Sequence, residues 1–199
     1  MSNTRKKIGA IFLSLVVLLA MPFLLDSYLI HILNQIGIMV ILTASLNLMV
    51  GYTGQLSFAH IGLFAVGAYT SAILTTTAGF SFWTSFPIAA IIAGIFGFII
   101  GLPVLRFKTH FFAIVTLAFG EIIRLTIYNL RDLTGGPNGI YNIPFPTNIL
   151  GFDFALREHF YYLILVSAII VIILVKFLIN TRTGKAMIAI RENENFALF

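Results

Sequence analysis

Four groups of residues in this chain have types and spacings that could carry chemistry. Glu121 and Arg124 stand three apart inside an apolar run over residues 111–128. A lone charged side chain near the middle of a bilayer costs at least about 2.5 to 3.5 kcal/mol on insertion scales, so an acid and a base one turn apart point to pairing or to an aqueous path. Ser57 and His60 share a polar stretch, but no orienting acid accompanies them and their spacing fits no nucleophile motif, which argues against a hydrolase. His31, Asn34 and Gln35 fall at i, i+3 and i+4 on one helix face. One imidazole with two amides is no metal site, so this face reads either as interhelical hydrogen bonding or as a substrate lining. Gly135, Gly136, Pro137, Asn138 and Gly139 are turn chemistry; without a Gly-Lys-Ser/Thr ending or a preceding strand they do not form a phosphate-binding loop. No catalytic residue and no metal-ligand set follows from any of these groups.

Composition says what must position them. Of 199 residues, 59% are hydrophobic and 10% charged, with a mean hydropathy of +1.02; an ordinary soluble domain is nearer 25% charged. The chain therefore reads as an all-α, polytopic membrane helix bundle, a single domain over residues 1–199, with no room for a soluble catalytic domain. Zero cysteines exclude a disulfide framework and thiolate chemistry. The net charge of +5 does not imply nucleic acid, because the basic residues are scattered between apolar runs instead of clustered on one face.

Six apolar segments reach membrane-spanning length, at about 8–25, 28–50, 61–78, 86–105, 111–128 and 160–179. With the N-terminus inside, the cytoplasmic segments hold Arg5, Lys6, Lys7, Arg106, Lys108, Lys176, Arg182, Lys185 and Arg191, against Arg131 and Arg157 outside. That asymmetry predicts both described ends on the cytoplasmic side. The first segment lacks an A-x-A site and is followed by further spans, so it reads as a retained helix instead of a signal peptide. Thr43 and Asn47 share a face deep in the second span. The uncharged run from Gly51 through Gly54, Gln55 and Ser57 to His60 is either a discontinuous helix beside a translocation path or a plain cytoplasmic turn. In the fourth span Ala89, Ala93, Gly97 and Gly101 recur every four residues, a stripe that lets another helix come close. Beyond the sixth span Thr183 is placed as an N-cap, with Ala186, Ala189, Ile190, Asn193 and Ala197 on one side of a helix.

Three blocks carry a resemblance: GYTGQLSFAHIGLFAVGAY, GLPVLRFKTHFFAIVTLAFGEIIRLTIYNLRDLTGGPNGI and TGKAMIAIRENE. Their order and separation resemble the permease subunits of bacterial branched-chain amino-acid ABC importers. The resemblance implies inward transport of leucine, isoleucine and valine across the bacterial cytoplasmic membrane. It also implies a heterodimer with a second permease, a periplasmic or lipid-anchored binding protein, and two cytoplasmic ATPase subunits that use the ATP, so this chain binds no cofactor itself. A permease for urea or short amides, and a self-contained secondary transporter, are the alternatives. By the same likeness residues 180–199 form the ATPase-coupling segment, with Gly184, Ala189, Arg191 and Glu192 carrying the coupling. Glu121 and Arg124 match the family's charged pair and read as a structural ion pair or, with Asn47 and Gln55, as part of the translocation path. The Gly-Gly-Pro-Asn-Gly turn marks the outer mouth. Family members continue beyond the coupling segment, so the chain is expected to be incomplete at its C-terminus.

Overall fold

A chain so rich in apolar residues, with prolines and glycines gathered between its apolar runs, satisfies its backbone best as a set of long helices. A computed structural model describes residues 2–107, 109–148 and 151–192, without the side chains of residues 2–8, 10–12, 109, 110, 190 and 192. The helices are α1 (Ser2–Leu24), α2 (Ser27–Asn47), α3 (Ala59–Thr76), α4 (Phe82–Val104), α5 (Thr109–Asn129), the short α6 (Arg131–Thr134), α7 (Arg157–Asn180) and α8 (Arg182–Glu192). Among the described residues, five stretches are long and apolar enough to cross a membrane: Ser27–Thr53, Ala59–Thr76, Phe82–Val104, Phe111–Asn129 and Arg157–Asn180. The sixth expected span is α1, of which Leu13–Leu24 is the described apolar part.

Two groups of helices make up the bundle. In one, α2 lies along α7, and α1 and α8 pack on α7. The approach of α2 to α7 is close at Gly37, where a Cβ would stand 2.5 Å from Ile164 Cγ2. Pro22 in α1 has no N–H for the carbonyl of Leu18. That oxygen accepts the Tyr161 hydroxyl at 3.0 Å instead, and Tyr162 donates to the next carbonyl, Leu19, also at 3.0 Å.

In the other group α3 packs along both α4 and α5. The small-residue stripe of α4 faces α3: a Cβ on Gly67 would touch Ala93 at 3.7 Å, and one on Gly97 would touch Leu63 at 3.5 Å. Gly101 meets nothing, so the stripe does its packing over its first three members. Ile100, Val104, Phe112 and Ile123 form the buried core of this group. Lipid is as apolar as these side chains, so their contribution between spans is close van der Waals packing and not transfer out of water.

Two expectations change. The run after residue 50 is not wholly a break: α2 continues as a π-helical turn over Leu48–Thr53 before ending at Gly54 in the left-handed conformation (φ 72°). The cap of α8 is Thr181, whose Oγ1 accepts the N–H of Gly184 at 3.3 Å, and not Thr183. A single residue separates α7 from α8, so the new helix starts two residues earlier than the sequence pattern suggested.

Candidate functional site

Three places collect the residues singled out above. The first is at the end of the bundle where α2 stops. A helix leaves its last four carbonyls without partners, and here one of them, Gly51 O, accepts a hydrogen bond from Arg191 Nη1 at 2.6 Å. Arg191 thus caps α2 from 140 residues away in sequence, with a positive charge where the helix dipole favours one. Its aliphatic stem lies over Gly54, where a Cβ would come within 3.1 Å of Arg191 Cγ. Gly184 makes the approach possible. It is buried, and a Cβ there would stand 2.5 Å from Ile179 Cα and equally close to Leu178 O. Only a glycine lets α8 fold back so tightly on the end of α7.

The packed side of α8 is therefore Gly184 with the half-buried Met187, while Ala186 and Ala189 are exposed. Ala186 and Ala189, on the apolar side read from the sequence, are thus turned away from the rest of this chain; the Ile190 side chain, Asn193 and Ala197 lie outside the described residues. Glu192 ends α8, its side chain likewise outside the description. Gln55 follows the π turn, half-buried, its backbone N–H donating to Met49 O at 3.3 Å. Asn47 stands one α-turn before Gly51, and a Cβ on Gly51 would collide with its Oδ1.

The second place is a cleft of about 410 Å³ between α3 and α5. Phe112, Thr116 and Ile123 turn inward from α5, and the neighbouring stripe of Leu117, Glu121 and Arg124 borders the cleft. Glu121 and Arg124 form a two-pronged ion pair: Arg124 Nε donates to Glu121 Oε2 at 2.8 Å and Nη2 to Oε1 at 2.6 Å. The side chains are 62% (Arg124) and 49% (Glu121) exposed, so the pair is made but not enclosed. The helices meet closely beneath it, where a Cβ on Gly62 would lie 3.3 Å from Gly120 Cα and one on Gly120 3.2 Å from Phe58 O.

The third place is the turn after α6. Gly135, Gly136 and Gly139 all have positive φ, and Gly136–Asn138 makes one 3-10 turn with Pro137 at its centre. A Cβ on Gly135 would strike the carbonyl of Gly139. Thr134 braces the turn: its hydroxyl lies 2.5 Å from Ile127 O and 2.8 Å from Leu130 O, and accepts Gly136 N–H at 3.2 Å.

Other polar groups settle between helices or at the surface. His60 is bonded to Ser45 Oγ at 2.8 Å, joining α3 to α2, and Ser57 is not its partner. Of the face drawn through His31, Asn34 and Gln35, only Asn34 is buried; its Oδ1 has no hydrogen-bond partner, while Gln35 and His31 lie 3.5 Å apart on the exposed side. Among the described residues no three metal-ligating side chains gather. Sequence reasoning passed over Thr116, which is buried and accepts the N–H of Phe58 at 3.2 Å, tying the start of α3 to α5. A hydroxyl inside an apolar helix was the only signal for it, and Thr126 in the same helix gives the same signal while bonding only to its own backbone.

Comparison with known proteins adds an independent observation. The family described as branched-chain amino acid transport system, permease component, matches residues 28–199. The high-affinity branched-chain amino acid transport system permease protein LivM of Escherichia coli is 35% identical over 97% of this chain and 50% of its own length. Its namesake in Salmonella typhimurium is 35% identical over 90% of this chain and 48% of its own length. A probable branched-chain amino acid transport permease protein LivM of Methanocaldococcus jannaschii is 30% identical over 82% of this chain and 56% of its own. The chain thus spans about half the length of the curated relatives it matches. No solved structure matches it.

Proposed function

The chain belongs to the family of permease components of branched-chain amino acid transport systems, and from that premise we propose that it is a membrane-embedded subunit of an ATP-driven importer. It carries leucine, isoleucine and valine inward across the cytoplasmic membrane. A second permease completes the pore, a binding protein outside the membrane delivers substrate, and two cytoplasmic subunits bind and hydrolyse ATP. The N-terminus and α8 are cytoplasmic, in keeping with the basic residues that flank them. The Gly-Gly-Pro-Asn-Gly turn lies at the outer mouth.

The observation that carries this reading is the seating of α8. It is a short helix joined to α7 through one residue, held against the end of α2 by the bond from Arg191 to Gly51. A push on its exposed side, where Ala186 and Ala189 lie, moves α7 and the end of α2 together, the kind of rigid coupling by which a small displacement becomes a change of state. The chain assembled with its partner subunits and binding protein in proteoliposomes tests the proposal. Accumulation of leucine that requires ATP inside the vesicle is the expected result. Accumulation driven by an ion gradient, with the ATPase subunits left out, overturns it.

A further inference from the structure

We infer that the α3–α5 cleft, with the Glu121–Arg124 pair at its border, is a binding site for the zwitterionic head and apolar side chain of an α-amino acid. The inference rests on the permease reading above and gives that pore a place for its cargo. Within α5, at 1.5 Å per residue, Glu121 lies about 18 Å from the start and about 12 Å from the end, and Arg124 about 22 Å and about 8 Å. The two charges satisfy each other only in part: about half or more of each side chain is exposed in the isolated chain, and lipid offers nothing to the donors and acceptors left over.

The chemistry of the pair matches one ligand class. It presents a carboxylate and a guanidinium side by side, neutral in sum, so a free anion or free cation gains one contact and one repulsion. A zwitterion laid antiparallel gains two attractions, its ammonium on Glu121 and its carboxylate on Arg124. The bonds inside the pair use two of the five guanidinium N–H groups, and each Glu121 oxygen has accepted one bond, so both groups keep capacity for a ligand while paired.

The rest of the cleft is apolar. Ile61, Ala65, Leu117 and Ile127 line it, with Tyr69 the other side chain that has a polar atom. Its volume of about 410 Å³ falls in the range of small-molecule sites, which join a mostly apolar wall to a few placed polar groups. A charged side chain would find no partner on that wall and is disfavoured; an aliphatic one is accepted.

The test uses the assembled complex in proteoliposomes. The double variant Glu121→Arg with Arg124→Glu keeps an ion pair and reverses its direction. Leucine moved per ATP hydrolysed falls by about tenfold or more, while complex yield and the ATPase rate stimulated by binding protein stay near wild type. An unchanged ratio shows that the pair serves only the fold and overturns the inference. If the reversed pair fails to assemble, Ala65→Phe decides, because it fills the cleft without touching a charge. Leucine transport then drops at least about threefold relative to valine; unchanged selectivity overturns the inference. Wild-type complex without ATP-dependent leucine uptake is a different failure, which sinks the permease reading itself.

Discussion

Arg124 and Arg191 make hydrogen bonds of the same length, 2.6 Å at their shortest, and stand for two ways of holding a membrane helix. Arg124 bonds to an acid one turn back on its own helix, so its geometry is set once α5 forms. Arg191 bonds to a backbone oxygen 140 residues away, so its geometry exists only when α7, α8 and the π turn are all in place. A local pair reports on one helix, whereas a long-range cap reports on the assembly of several. The second kind is the one through which motion at α8 can reach the bundle.

Substitutions can break that contrast or sharpen it. The largest effect is expected at Gly184, because any side chain there meets the backbone of α7 and not a side chain that can move. Gly184→Ala costs about 1 to 3 kcal/mol and lifts α8 from its seat; uptake is abolished and a cysteine pair across α8 and α2 no longer crosslinks. Retained crosslinking would show that α8 reaches its seat without the glycine. Arg191→Ala comes next. Loss of a charge-assisted bond at an exposed cap is worth about 1 to 2 kcal/mol, and ATP hydrolysis is expected to continue while leucine moved per ATP falls. If both fall in proportion, the cap supports folding and not transmission.

A smaller change follows at the receiving end. Gly51→Ala places a Cβ on the tip of Asn47, which can swing away, for about 1 kcal/mol. Adding Asn47→Ala restores wild-type thermal stability; no restoration means that the π turn itself demands glycine. The least effect is expected from Arg157→Ala, whose exposed bond to Ser27 O at 3.2 Å ties α7 to α2 at the opposite end. Its stability change stays within about 0.5 kcal/mol, measured by thermal unfolding in detergent, and a larger shift would make that end as much a fulcrum as the Arg191 end.

The same contrast explains what was legible in the sequence. The helices and the Glu121–Arg124 bonds were legible because apolar runs of spanning length and an i, i+3 acid–base pair are local facts. So was the α4 stripe, though not that Gly101 falls outside it. The Arg191 cap was not legible: α8 could be marked as a coupling helix by likeness, but nothing in the spacing says that one of its arginines reaches Gly51. The partner of His60 was hidden for the same reason, with Ser57 nearer in sequence and Ser45 nearer in space. The seat of α8 on α7 was not legible either, because a helical pattern counts apolar residues, whereas this helix is seated by a glycine.

The wide turn at Leu48–Thr53 has a consequence for anyone comparing this segment with a straight helix. A π turn spends one extra residue, and one residue in an α-helix is about 100° of rotation. Faces assigned by counting forward from α2 are therefore a quarter-circle out for Tyr52 and Thr53. Removing one residue within 48–53 should let the ladder close as an ordinary helix and turn the Gly51 carbonyl away from Arg191. The surplus residue is in effect a spacer that sets the phase between the shaft of α2 and the groups hung from its end.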